Sequence, residues 1–310
     1  MTIYCHLKKI TYFFLMGALT AVLSGCGEKH EAYVSASTTI RNNTPVCLVP
    51  EASGTVLYEN SLVSVDASNA SEGYLMIAYY GDNPKVKLQL TGPDYMTYTY
   101  DLKGSNYESF PLSVGDGIYN VGIYENVEGT QYATVFSKDL SVTITNSSGA
   151  FLYPNQYVKF DSSSQVVAKA KELVAPAHDD LEAINYIYNY IIENFTYDYN
   201  KAETVQSGYI PNVDEILNSK TGICLDYAAV MASMLRSQQI PTKLEVGYAG
   251  EAYHAWISTY VKDIGWINGI IQFDGQNWSL MDPTFAANTS EKELKSFLGD
   301  GTNYVTKYNY

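Results

Sequence analysis

Residues 218–241 read Asn-Ser-Lys-Thr-Gly-Ile-Cys-Leu-Asp-Tyr-Ala-Ala-Val-Met-Ala-Ser-Met-Leu-Arg-Ser-Gln-Gln-Ile-Pro, and no other stretch restricts the fold so tightly. Lys220-Thr221-Gly222 is a break, after which Ala228, Met231 and Leu235 recur at helical spacing. Val230 and Met234 widen that stripe and Pro241 ends it. The pattern predicts a turn feeding directly into a helix, with Cys224 in the first turn. Unpaired backbone N–H groups and the positive end of the helix dipole there favour thiolate over thiol. Thiolate is the form that attacks a carbonyl. A helix cysteine that only packs is the commoner case for a lone Cys, but the residues downstream reverse the odds.

After Pro241 the period changes from helical to alternating. Strands are expected over 243–248, 254–261, 269–273 and 278–284, with a helix over 290–298 and an edge strand over 303–310. Upstream, Ser162-Ser163-Ser164 would cap a helix over 165–174, which Pro176 ends. A second helix begins near Asp180, with Leu181, Ile184, Tyr188, Ile191 and Phe195 on one face. An aromatic loop, 194–200, and a short helix over 213–217 lead to the Cys224 turn. Helices followed by consecutive antiparallel strands make an α+β domain.

The region 54–146 reads differently. Runs over 74–80, 85–90, 95–102, 107–114, 117–125 and 131–145 are rich in Tyr, Thr and Val and are separated by Gly, Asp, Asn and Pro. Strands about ten residues apart with no helical period between them predict an all-β immunoglobulin-like sandwich. Chemical groups are not concentrated there, so a spacer role is the simplest expectation. The chain has 310 residues, long enough for two domains.

At the N-terminus, Lys8 and Lys9 precede an apolar run over 10–22, followed by Leu23-Ser24-Gly25-Cys26. The run is shorter than the roughly 20 residues of a membrane span and has the layout of a secretory signal. Leu-Ser-Gly-Cys resembles a bacterial lipobox, which implies cleavage before Cys26 and lipidation of its side chain. The expected organisation is a signal peptide over 1–25, a polar tether over 26–53 ending in a strand at 46–49, the β-sandwich over 54–146, a linker over 147–163 and the α+β domain over 164–310. On this reading the protein is exported and anchored to the outer face of a bacterial membrane. Cys47 and Cys224 then remain, too far apart in sequence to argue for a disulfide. With 33 acidic against 19 basic residues the net charge is −14, which argues against a nucleic-acid partner. Cysteine and histidine do not cluster at metal-ligand spacing, so neither zinc nor another cofactor is expected.

A thiol nucleophile needs a base, and the base needs a group that holds its tautomer. His30 falls in the tether, and His178 in a helix-start context, Pro-Ala-His-Asp-Asp. His254 opens a strand just after the Cys224 helix, and Asp282 ends a later strand as Asp-Pro-Thr. Cys224, His254 and Asp282 therefore make a workable triad. Three blocks, Gly222-Ile-Cys224-Leu-Asp-Tyr-Ala, His254-Ala-Trp256 and Asp282-Pro-Thr284, resemble the transglutaminase-like core of the papain-like superfamily. The resemblance spans about 164–285. It implies a papain-like core of helices packed on an antiparallel sheet, with Cys224 as nucleophile, His254 as base and acid, and Asp282 as its orienting group. It also implies an oxyanion hole built on the Cys224 N–H, for which Tyr197 is the candidate second donor, and a hydrophobic wall including Trp256. One departure is Lys243, where the family often carries Arg after Ile-Pro.

The implied reaction is attack on an amide of a protein or peptide substrate, a cell-wall peptide among the candidates, through a thioester. Hydrolysis by a peptidase or amidase is the leading expectation because water needs no second substrate site. Transfer to an amine, a non-catalytic surface binding lipoprotein, and an adhesin that uses the thiol for an intermolecular bond are the alternatives.

Overall fold

The structure is a computed structural model and describes residues 41–249, 251–267, 271–273, 278–280 and 304–310. The described residues fall in one compact unit.

Two four-stranded antiparallel sheets occupy the first part. One contains β1 (Leu57–Glu59), β2 (Val63–Asp66), β3 (Tyr74–Tyr79) and β6 (Glu108–Pro111), in the order β1-β2-β3-β6. The other contains β4 (Val86–Thr91), β5 (Thr97–Leu102), β7 (Gly117–Glu128) and β8 (Gln131–Val142), in the order β5-β4-β7-β8. Strict alternation places Val86, Leu88 and Leu90 of β4 inward, with Tyr98, Tyr100 and Leu102 of β5 and Tyr119, Val121 and Ile123 of β7. By contrast β3 is buried along its whole length. Its continuous apolar run is covered on both faces, and on one of them Tyr74 meets Tyr153, ring centroids 4.5 Å apart.

The second part contains α1 (Gln165–Val174), α2 (Asp180–Asn194), β9 (Thr196–Tyr197), α3 (Tyr199–Thr204), α4 (Val213–Ser219), β10 (Thr221–Gly222) and α5 (Cys224–Ser237). A sheet follows, built from β11 (Thr242–Ala249), β12 (Ala252–Val261) and β13 (Gly265–Ile267). The short hairpin β14 (Ile271–Phe273) with β15 (Trp278–Leu280) comes next, and then β16 (Tyr304–Asn309). The larger sheet has the order β13-β12-β11-β16 and is antiparallel throughout. β16 reaches β11 across a register shift at Val246/Gly247, and a Cβ on Gly247 would meet the Val305 carbonyl oxygen at 2.0 Å.

α5 is the hub. α1, α2 and α4 pack on it, as do β11 and β12. Every residue from Asp226 to Ser237 is buried, so the helix is enclosed all round and not buried along one stripe. The fully buried Arg236 holds three carbonyls together: Nε donates to Thr242 O (2.9 Å) and the other two nitrogens to Tyr153 O (2.8 Å) and Tyr310 O (2.5 Å).

Several expectations change. The stretch 46–49, expected as a strand, is not one. Nor is 41–49 a free spacer: Arg41 pairs with Asp180 (2.8 Å) and donates to Gln238 O (2.6 Å), and Val46 N–H donates to Ser237 O (2.8 Å). The stretch 147–163 is packed: Phe151, Val158 and Phe160 are buried, and Gln156 Nε2 donates to Asp101 O (2.7 Å) and Glu108 Oε2 (3.0 Å). The α1 N-terminus is capped from outside. Asp214 accepts from Val166 N–H (3.0 Å), while the Ser164 hydroxyl accepts from Asp161 N–H (3.0 Å) and makes no cap bond. α3 begins inside the expected aromatic loop, and Asp198 caps its start by accepting from Lys201 N–H (2.8 Å). β1 and β2, of three and four residues, are not among the expected strands. The helix expected over 290–298 lies outside the described residues.

Candidate active site

Cys224 is the first residue of α5, and the local chain explains its position. Lys220, the C-cap of α4, takes a left-handed turn (φ 52°). β10 then pairs in parallel with β9, Thr221 opposite Thr196 and Gly222 opposite Tyr197. This pairing sets Tyr197 beside the start of α5. Gly222 has no room for a side chain, since a Cβ would meet Asp226 Cβ at 2.6 Å.

Hydrogen bonding from the Tyr197 hydroxyl and from the N–H groups of Ala255 and Leu225 stabilises a Cys224 thiolate. Burial opposes this and is the largest effect, so the thiol is held above its ordinary 9.0. The expected helix-terminus preference for thiolate is thus outweighed by desolvation. The Cys224 N–H donates to the Tyr197 phenol oxygen. Burial, with the thiol nearby as a second cause, pushes Tyr197 up to about 12, so it is a donor at neutral pH.

His254 stands on β12 opposite Gly247 of β11. It is 8% exposed, and burial lowers it below 6.5, which keeps the ring neutral. Its Nε2 is buried with no hydrogen-bond partner among the described residues. Trp256, two residues on, stacks on the ring, with centroids 6.4 Å apart and planes at 27°. The Trp256 indole N–H donates to Glu245 on β11, which also accepts from the Ser258 hydroxyl (2.9 Å). Trp256 therefore backs His254 and does not form part of the cavity wall.

Cys224, Tyr197 and His254 line one cavity of about 610 Å³. Val246, Tyr253, Tyr308 and Tyr310 contribute from the larger sheet, the stretch 205–210 from the loop after α3, and Lys87, Thr99 and Asp101 from β4 and β5. Asp282 and Cys26 lie outside the described residues.

The family model of the transglutaminase-like superfamily matches residues 167–269. Residues 167–269 are a transglutaminase-like core. An uncharacterized protein of Bacillus subtilis (strain 168), YebA, is 23% identical over 192 residues, covering 54% of this chain and 26% of that protein. The chain thus spans about a quarter of that relative's length. Among solved structures, one described as a candidate cysteine protease from Cytophaga hutchinsonii has a TM-score of 0.34 at 14% identity, covering 74% of this chain and 69% of that one. The periplasmic domain of TgpA from Pseudomonas aeruginosa bound to ethylmercury gives 0.32 at 15%, covering 79% and 80%. Red sea bream transglutaminase gives 0.29 at 13%, covering 68% and 48%. Likeness at this level does not assign a reaction.

Within the transglutaminase-like core, Asp226 was not singled out from sequence. It is fully buried in the first turn of α5 and accepts from Lys201 Nζ (2.6 Å), the Tyr209 hydroxyl (2.6 Å) and Ile223 N–H (2.9 Å). The network fastens α3 and the cavity loop to the helix that carries Cys224. An acidic residue three places after the helix N-cap, at the head of an apolar run, was the available signal. The core's described residues contain no His, Cys, Asp or Glu group able to hold a metal, and no described helix is long and apolar enough to cross a membrane.

Proposed function

We propose that the protein is a thiol enzyme that cleaves amide bonds of a protein or peptide through a thioester. The observation that carries this reading is the meeting of Cys224, the Tyr197 hydroxyl and His254 on one cavity. His254 takes the thiol proton as Sγ bonds to the carbonyl carbon. The oxyanion that forms is received by the Cys224 N–H and the Tyr197 hydroxyl. His254 then passes the proton to the leaving amine as the C–N bond breaks. Water, deprotonated by His254, attacks the thioester, releasing the acid and restoring the thiol. Asp282 is the proposed acceptor for the buried Nε2 of His254, which supports a carboxylate there. The other ring nitrogen is then left for Cys224.

Hydrolysis is preferred to transfer because water needs no second acceptor site. Cys26 is the proposed lipid-bearing residue, with the body exported to the outer face of a bacterial membrane and the two sheets of 57–142 forming an immunoglobulin-like sandwich. The elevated thiol favours one second reading, a non-catalytic surface lipoprotein that binds a partner in the same cavity. Turnover of peptide amides decides between them. Cys224→Ala should abolish turnover with thermal unfolding unchanged, and turnover that survives the substitution sinks the assignment.

A further inference from the structure

The sheet β5-β4-β7-β8 has an outer face that the mechanism leaves unused. Lys87 of β4 stands directly opposite Asp101 of β5. Since Val86 and Leu88, on either side of Lys87, point into the core, Lys87 and Asp101 share the outer face with Thr99. All three line the cavity that also contains Cys224 and His254. The β-module is therefore one wall of the cleft, and the spacer role expected from sequence does not account for it.

Asp101 is held in place but not saturated. Its carbonyl accepts from Gln156 Nε2 (2.7 Å), and its Oδ1 pairs with Lys87 Nζ (2.6 Å). Its Oδ2 accepts from no donor among the described residues. Gly208, on the cavity loop, faces that oxygen: a Cβ there would lie 3.0 Å from it, and the backbone sits at φ +85°. The loop thus approaches Asp101 closely and without a side chain. The two charged side chains are 34% and 27% exposed, partly withdrawn from water, where a charge-assisted hydrogen bond gains strength. The chain's net charge of −14 also attracts cations over distance.

We propose that the outer face of β4 and β5 selects the substrate, with Asp101 receiving a primary ammonium group of the peptide. This rests on the thiol-enzyme reading for the identity of the cleft's occupant. Lys87 pairs with one oxygen of that carboxylate and leaves the other for the ligand.

The test is calorimetric binding of three blocked peptides, acetyl-Ala-Lys-Ala-amide and its norleucine and glutamate counterparts, to the full chain carrying Cys224→Ala. The lysine peptide should bind about tenfold tighter than the norleucine peptide, in line with a charged hydrogen bond. Asp101→Asn should remove that preference without changing norleucine affinity, and Lys87→Met should keep it. Equal affinities, no binding of any peptide, tighter binding of the glutamate peptide, or a lysine preference that survives Asp101→Asn would each overturn the proposal. Absence of turnover by the chain with Cys224 intact sinks the thiol-enzyme reading alone, because the binding preference is measured without chemistry.

Discussion

The Tyr197 hydroxyl donates to the Cys224 thiol, and the Cys224 N–H points back to the same phenol oxygen. The two residues are thus bonded to each other at the nucleophile, beside the two-residue parallel pairing of β9 with β10. Tyr197→Phe should lower kcat by about 10²–10³ with little change in KM, the size of effect seen when one oxyanion donor is lost. Steady-state kinetics of the purified variant checks this. A KM effect alone would place Tyr197 in substrate binding only.

The pH response follows from opposite shifts at Cys224 and His254. Burial lowers His254 from 6.5, so an unfolded chain takes up a proton there that the folded one resists. That stability is fully present above 6.5 and is lost as pH falls towards the folded value. Burial raises Cys224 from 9.0, so its contribution is present below 9.0 and is lost as pH rises through the folded value. Activity should show an acid limb below 6.5. Alkylation of Cys224, followed with Cys47 replaced, should accelerate only above 9.0. Fast alkylation near pH 6 would show a poised thiolate–imidazolium pair and overturn this expectation.

Asp226 is buried, and its partner Lys201 is 28% exposed on its side chain. Asp226→Ala would strand the Tyr209 hydroxyl and the Ile223 N–H as well as the cation. The expected cost is about 3–5 kcal/mol, read as a lower denaturant midpoint. Lys201→Met should cost less, because water screens part of that charge. Equal costs would mean that the pair does not anchor the helix start.

Arg236→Met keeps the approximate length of the side chain but removes three hydrogen bonds to carbonyls, of which Tyr310 O keeps only its bond from Leu244 N–H. A loss of about 3 kcal/mol or more is expected. Because Tyr310 O is one of those carbonyls, protection of β16 amides in hydrogen exchange should fall first. Unchanged protection would show that β16 is held by its ladder and aromatic contacts alone.

Much of this was legible locally. The period over 218–241 located α5 and set Cys224 at its first turn, and alternation after Pro241 located β11 and β12 with His254 between neighbours. Such patterns survive in sequence because side-chain direction repeats every 3.6 or 2 residues. Asp226 and Glu245 were harder to find, because a carboxylate in an apolar segment does not name its partners. Lys201 and Tyr209 come from elsewhere in the chain, and Trp256 and Ser258 reach Glu245 only across a strand pair.

Element type, the placing of Cys224 at a helix start and the pool of candidate bases were determined by sequence alone. Tertiary structure decided the rest. It enclosed α5 on all sides, and the resulting desolvation outweighed the helix-terminus preference at Cys224. It also brought β4 and β5 to the wall of the cleft, with Tyr98, Tyr308 and Tyr310 packed edge to face between the sheets. Burial and approach between distant segments depend on how whole elements pack, and no local period encodes that.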